Sequence, residues 1–259
     1  MPSEAVSIIV PTYKEAENIP VLADRLFAAM NKAGIAAELI IVDDDSRDGT
    51  DAAVASLAQS HDVRLVTRTE ERGLSSAVVR GFAEAKHNIL LCMDADLSHP
   101  PESVPDVIRP ILENRAEFCI GSRYTRGGKA TEDWGLLRRI NSWGATLLAR
   151  PLTPARDPMA GFFCLRRATL DRASAAGLNP IGYKIALEIM VKARCHPIVE
   201  VPITFSDRLH GQSKLTLRQQ LLYLQHLVGL YRFRYPMSSV LALLAMVAAV
   251  AALVWRLGA

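Results

Sequence analysis

"LLCMDADLSHPP", residues 90–101, decides how this chain is read. The apolar residues 90–93 run straight into two carboxylates, Asp94 and Asp96, with Ala95 between them. Two acids one residue apart at a strand end aim oxygens into one cleft. Hard oxygen donors suit Mg²⁺ or Mn²⁺, and Mg²⁺ is commonly held by one or two carboxylates plus substrate phosphates. The expectation is a divalent metal bridging protein acid to a diphosphate. A lone pair of this kind is weak evidence, because acid pairs at turns are common.

Working outward, apolar strand runs alternate with helical stretches. "VSIIVPTY", "ELIIVDDDS", "DVRLVT", "NILLCMD", "EFCIGSRY", "GFFCLRR" and "IVEVPITF" read as strands. Helices are predicted over 15–33, after the Asp48, Thr50 and Asp51 cap, over 73–86, from about 102, over 134–149 and over about 184–195. This alternation implies an α/β fold with a mostly parallel sheet covered on both faces. Ligands bind such sheets at the carboxyl ends of strands, where "PTYKE", "DDDS" and "DADLS" fall. No GxGxxG follows the first strand and no GxxxxGK[ST] occurs, which disfavours a dinucleotide dehydrogenase and removes the usual P-loop.

The 259 residues are half hydrophobic, enough for one large domain. A net charge of +3 suits an anionic ligand or a membrane surface and is too weak to argue for nucleic acid. Cys92, Cys119, Cys164 and Cys195 form no CxxC pair and read as buried thiols. Residues 1–4 are short and polar, with no signal-peptide pattern. Residues 237–255 carry no charge and would make a helix about 28 Å long, close to the bilayer core. Arg218, Arg232 and Arg234 precede this stretch and only Arg256 follows, which puts the body on the cytoplasmic face of a single-pass membrane protein. Before it, Leu217, Leu221, Leu224, Val228 and Tyr231 form one apolar stripe at helical spacing, packed on the domain or lying at the membrane interface. The expected organisation is a catalytic domain over 1–214, an amphipathic helix over 215–235, and a transmembrane helix with its tail over 236–259.

"VPTYKEAENIP", "IIVDDDSRDGT", "RGLSSAVVRGFAEAK", "MDADLSHPPE", "IGSRYTRGG", "RRINSWGATLLA" and "EVPITFSDRLHGQSKL" occur in one order over about residues 5–217. Together they resemble the family-2 inverting glycosyltransferases of GT-A (Rossmann-like) fold, and more narrowly the dolichyl-phosphate (polyprenyl-phosphate) mannose synthases. The resemblance implies transfer of mannose from GDP-mannose to a polyprenyl phosphate lipid. It implies Pro11, Tyr13, Glu15, Val42 and Asp44 at the nucleotide, with Asp44 accepting a ring N–H. It implies Asp94, Ala95 and Asp96 at the sugar nucleotide, with Asp94, Asp96 and Ser98 around Mg²⁺ or Mn²⁺ and Asp96 the surest ligand. Arg123 would meet phosphate, Arg138 and Ser142 would hold the acceptor phosphate, and Arg208 and Lys214 would close over the diphosphate from a loop. Arg138 and Ser142 are also one helical turn apart, so they share a face on residue spacing alone. Asp43 reads as a buried acceptor fixing its turn, Asp45 as solvated, and His99 and His210 as structural.

Two departures stand out. Lys14 replaces the common Asn of "PTYNE", its side chain expected in solvent, and "DPMAGFF" lacks the hydroxyls of the family's "DLTGSF". The second departure leaves open a different sugar. The nearest rival reading is the same reaction with UDP-glucose or another sugar nucleotide, although "DLSHPPE" leans to mannose. A processive polysaccharide synthase is disfavoured because no QxxRW follows the acid pair. A catalytically silent membrane scaffold is the reading from another class.

Overall fold

The computed structural model describes residues 4–130, 136–206, 217–238, 241–242 and 245–246; of residues 130, 136–142, 217 and 218 it describes the backbone. In chain order the elements are β1 (Val6–Thr12), α1 (Asn18–Ala33), β2 (Ala37–Asp43), α2 (Thr50–Leu57), β3 (Val63–Thr67), α3 (Leu74–Glu84), β4 (Ile89–Cys92) and α4 (Val104–Leu112). There follow β5 (Phe118–Ser122), β6 (Lys129–Ala130), α5 (Leu136–Ala149), β7 (Phe163–Arg166), α6 (Arg167–Ala175), α7 (Ile185–Lys192), β8 (Ile198–Pro202), β9 (Thr204–Phe205) and α8 (Leu217–Arg234).

Seven strands form one sheet in the order β3-β2-β1-β4-β7-β5-β8, and β6 pairs with β9 in a second, small sheet. All pairings in the large sheet are parallel except those of β7, which runs antiparallel to both β4 and β5. The strands are continuous apolar runs because both sheet faces are covered. Along β1, Val6, Ile8 and Val10 enter the core under α1, α2 and α4, while Ile9 faces the core under α3, α6 and α7. Gly81 lets α3 lie against the sheet: a Cβ there would sit 2.5 Å from Ile9 Cγ2 and 2.9 Å from Val42 Cγ2.

The strand order reverses at β1, which has β2 on one side and β4 on the other. A crevice forms outside the carboxyl ends of strands at such a switch point. "PTYKE", "DDDS" and "DADLS" all leave the sheet there.

Helix α8 packs on the domain mainly through residues off the predicted stripe. Tyr223, Leu227 and Leu230 are its buried apolar residues, whereas Leu221, Leu224 and Val228 of the expected stripe are exposed, at 60%, 48% and 51%. Helix α8 therefore has apolar residues on two sides, one packed on the domain and one bare. Three of its flanking hydroxyls staple it to α5 and the turn after it: Tyr223 donates to the Ala145 carbonyl at 2.7 Å, Tyr231 to that of Leu148 at 2.8 Å, and Tyr235 to that of Pro151 at 2.6 Å. Helix α5 adds exposed Trp143, Leu147 and Leu148. Beneath α8, the buried Glu188 carboxylate of α7 meets His226 Nε2 at 3.2 Å, Lys192 Nζ at 2.7 Å and the Asn179 N–H at 2.6 Å. Among the described residues no helix is long and apolar enough to cross a membrane, and most of 237–255 lies outside them.

Candidate active site

The acid pair follows β4 directly. Leu97 adopts a left-handed backbone, φ 62°, which turns the chain back on itself. The Ser98 N–H and hydroxyl then both donate to Asp96 Oδ1, at 3.1 and 2.6 Å. Ser98 is fully buried and orients the Asp96 carboxylate, which is itself 7% exposed. Asp94 is more open. Its backbone N–H donates to His99 Nδ1 at 3.0 Å, so that nitrogen is an acceptor and the ring's proton sits on Nε2. His99 is held in an aromatic box, stacked on Phe162 and edge-on to Phe205. Its structural role agrees with the sequence reading.

The donor set is all hard oxygen, which fits Mg²⁺ or Mn²⁺. Among the described residues no three acidic, histidine or cysteine side chains cluster as a cation cage, so ligand oxygens would have to complete the shell. Gly161 keeps room at the acid: a Cβ there would lie 3.4 Å from Asp94 Oδ1 and 3.5 Å from Oδ2.

At the end of β2, Asp43 is the expected buried acceptor. It takes hydrogen bonds from the Thr12 hydroxyl at 3.0 Å and from the Ser46 N–H at 2.8 Å. Asp44 is held by a partner that the sequence reading missed. Arg68 Nε and Nη2 reach Asp44 Oδ1 at 2.7 and 2.6 Å, and the Gly73 N–H donates to Oδ2 at 2.8 Å. Register could have found this arginine: Thr67 pairs with Asp43 across β2 and β3, so the next residues on each strand meet. Asp45 is paired with Arg47 at 2.8 Å, not simply solvated.

Tyr13 lies half-buried with Arg72 above its ring at 5.2 Å, and exposed Lys14 is 5.6 Å from the same ring. Glu15 accepts from the Asn18 amide at 2.7 Å. Pro11 is buried, opposite Val42 in the β1–β2 register. The Val42 side chain belongs to the core against α3 and does not enter the crevice. The Ala95 side chain is likewise buried, on the α1 and α4 side.

Arg123 follows β5 and is gripped by Asp157, with Nη2 at 2.8 Å from Oδ1 and Nε at 2.9 Å from Oδ2. Burial alone would lower the guanidinium's pKa; the Asp157 hydrogen bonds and charge outweigh it and leave Arg123 above its ordinary value. Asp157 was not singled out in the sequence. The loop carrying it is fixed by Glu200, whose carboxylate accepts the Arg156 and Asp157 N–H groups at 3.1 and 2.9 Å.

The segment after β9 begins beside the acid pair, because the Ser206 N–H donates to the Ser98 carbonyl at 3.2 Å. Arg208 and Lys214 lie beyond it, outside the described residues. Arg138 and Ser142 fall on the backbone of α5, one turn apart.

Comparison with known proteins agrees with this layout. The chain is 45% identical over 256 residues to a dolichol-phosphate mannosyltransferase of Mycosarcoma maydis, covering 96% of this chain and 86% of that one. It is 45% identical to one of Saccharomyces cerevisiae, covering 91% and 90%. Among solved structures, mannosyl-3-phosphoglycerate synthase of Rubrobacter xylanophilus superposes with a TM-score of 0.64 at 19% identity, covering 88% of this chain and 74% of that one. Glucosyl-3-phosphoglycerate synthase of Mycobacterium tuberculosis, solved with Mn²⁺, UDP-glucose and phosphoglyceric acid, gives 0.62 at 17% identity, covering 89% and 80%. The fold is the Rossmann-like GT-A arrangement. With its residues 7–173 matching the profile of Glycosyl transferase family 2, the chain belongs to that family of glycosyltransferases.

Proposed function

We propose that this enzyme transfers mannose from GDP-mannose to a polyprenyl phosphate of the dolichyl type, with inversion at the anomeric carbon. One observation carries the reading. The oxygen-only acid pair has Asp94 within electrostatic reach of the Asp157-held Arg123, in a chain 45% identical to dolichol-phosphate mannosyltransferases.

The acceptor phosphate is its own nucleophile. A phosphate monoester has a second pKa of about 6, so it is largely dianionic at neutral pH and needs no strong base. Its oxygen forms the new bond to the anomeric carbon as the bond to the diphosphate breaks. A divalent cation at Asp94 and Asp96, Mg²⁺ or Mn²⁺, would neutralise charge on the departing diphosphate. Arg123, pre-oriented by Asp157, offers fixed positive charge to the same anion. Asp44, locked by Arg68 and the Gly73 N–H, would offer its remaining Oδ2 lone pair to a ring N–H of the base. Arg138 and Ser142 are suited to the lipid phosphate, and closure by Arg208 and Lys214 would exclude water.

The membrane reading is supported by the bare side of α8 and its staple to α5. Trp143, Leu147, Leu148, Leu221, Leu224 and Val228 give these two neighbouring helices an exposed apolar surface, as an interfacial helix pair requires. In this proposal residues 1–214 are the catalytic domain on the cytoplasmic side, 215–235 lie at the interface, and 236–259 span the bilayer.

The test offers GDP-mannose, UDP-glucose and UDP-GlcNAc in turn with a short polyprenyl phosphate and Mg²⁺, and extracts the lipid. Mannose becomes lipid-linked. Glucose in the extract instead would move the assignment to the rival donor, and no lipid-linked sugar in any mixture would overturn it.

A further inference from the structure

A basic hollow opens where α5 ends. Tyr124, Arg150, Thr153, Pro154, Ala155 and Arg156 line it, and its volume is about 460 Å³. Among the described residues no acid lines it, and neither the Arg150 nor the Arg156 guanidinium has an ion pair or a hydrogen bond. The acids close by in sequence and space are engaged elsewhere: Asp157 grips Arg123, and Glu200 accepts the Arg156 and Asp157 N–H groups. Two guanidinium groups around one hollow repel each other, and an anion that accepts from both removes that cost.

The backbone beneath the arginines is fixed. The Tyr235 hydroxyl donates to the Pro151 carbonyl at 2.6 Å, and the Arg156 N–H donates to Glu200 at 3.1 Å. Between them the buried Thr153 hydroxyl donates inward to Met190 Sδ at 3.7 Å. Both arginine side chains stand exposed above this floor.

Position selects the anion. Arg150 follows Trp143 by seven residues and Leu147 by three, so at helical spacing it continues the bare apolar side of α5. The hydroxyl on Pro151 comes from Tyr235, two residues before the uncharged stretch 237–255, and Arg234 lies 5.9 Å from the Tyr235 ring. An apolar surface that runs into arginines matches acyl chains on one side and anionic headgroups on the other. A soluble anion has no use for the apolar approach.

We propose that the hollow between Arg150 and Arg156 binds the phosphate headgroup of an anionic phospholipid of the surrounding bilayer. The site is additional to the one for the acceptor lipid. The Tyr124 ring is the neighbour they share, 5.2 Å from the Arg123 guanidinium. A headgroup held there fixes the orientation of the domain on the membrane, with the crevice alongside. The proposal rests on the interfacial seating of α5 and α8 given above.

The full chain in neutral detergent is titrated with phosphatidylglycerol, phosphatidylcholine, inorganic phosphate or polyprenyl phosphate, and the thermal midpoint is followed. Arg150→Gln with Arg156→Gln is compared with wild type and with Lys32→Gln plus Arg194→Gln, which removes the same charge from exposed positions elsewhere. Phosphatidylglycerol raises the wild-type midpoint, and salt weakens the effect. The Arg150/Arg156 variant needs about 10-fold more lipid or beyond for the same shift, as expected for two lost surface cations. The Lys32/Arg194 variant behaves as wild type, and phosphatidylcholine and inorganic phosphate give no such shift. Transfer activity in neutral detergent is unchanged in the Arg150/Arg156 variant. An equal phosphatidylglycerol response in that variant overturns the proposal, as does an equal response of wild type to inorganic phosphate. Loss of transfer activity together with the polyprenyl phosphate response would give the hollow to the acceptor and overturn it too. Flotation with vesicles separates the two layers of the argument. Wild type that floats but shows no phosphatidylglycerol shift refutes the site alone; wild type that floats with no vesicle, neutral or anionic, refutes the interfacial seating and the site with it.

Discussion

Asp157 holds Arg123 at three points: through Nη2, through Nε, and through the Arg123 backbone N–H, which donates to Asp157 Oδ2 at 3.1 Å. Asp157 is fully buried, so the pair is a fixture of the fold as much as a charge for substrate. Removing one partner of a buried pair costs about 3–5 kcal/mol, because the other charge is left unpaired. Asp157→Ala is therefore expected to lower the thermal midpoint markedly and to cut kcat. Arg123→Lys retains charge but loses the fork, and its kcat falls further than its stability. Calorimetric unfolding beside steady-state rates checks both.

Replacement of Asp96 by Asn leaves the Ser98 contact possible while removing the carboxylate charge. Activity should fall by about 1,000-fold or more, given that Lewis-acid charge stabilisation is worth several kcal/mol. Chelation of divalent metal should silence wild-type protein, with Mg²⁺ or Mn²⁺ restoring it. Activity that survives exhaustive chelation would contradict the metal assignment.

In the proposed reading Arg68 acts on the nucleotide through Asp44, while also holding Ser76 and the Gly73 carbonyl. Arg68→Ala should raise the KM for the sugar nucleotide about 10- to 100-fold, the range expected when a charged hydrogen bond is lost. The KM for the lipid should stay put. A parallel rise in both constants would mean general unfolding rather than loss of base binding.

Glu38 gives the fold an acid limit. Burial would raise its pKa; the Ser7 hydroxyl, the Lys86 N–H and Arg64 outweigh that and hold it below 4.5. A carboxylate depressed in the folded state stabilises above its unfolded pKa, and that gain is lost as pH falls through the folded value. Stability should thus decline from about pH 4.5 downward. Glu38→Gln should flatten this decline in melting curves recorded between pH 3 and 6.

The bare side of α8 predicts a defect confined to the lipid substrate. Leu221→Ser with Leu224→Ser and Val228→Ser removes surface worth about 1.5–3 kcal/mol per fully buried side chain. With vesicle-embedded acceptor, the KM for polyprenyl phosphate should rise at least about 10-fold. With the acceptor in detergent the variant should approach wild type.

The strands around the switch point were legible because β1, β2 and β4 are unbroken apolar runs ending in polar turns. The reversal of β7 was not, since a four-residue apolar run reads alike in either direction. Helix α6 was missed because Arg167–Ala175 is short and polar, and Leu170 and Ala173 find their core only after folding. The acid pair stood out by type and position, and Arg123 through the family resemblance of "GSRY". Arg68 and Asp157 did not, because their partners come from neighbouring strands and loops. Helix α8 shows a further limit: a stripe at helical spacing marks an apolar side without saying what covers it.

The Glu188–His226 contact joins α8 to α7, and Lys184, just before α7, donates to the Met159 carbonyl of the loop that carries Asp157. Lys184 and Glu188 are one turn apart, so α7 acts as a strut of fixed length between that loop and α8. Under the proposed interfacial seating of α8, that strut would set a constant height for the reaction above the hydrocarbon. A lipid of any tail length would then offer its phosphate at the same level, so that the bilayer surface, and not the chain beneath it, would set the register.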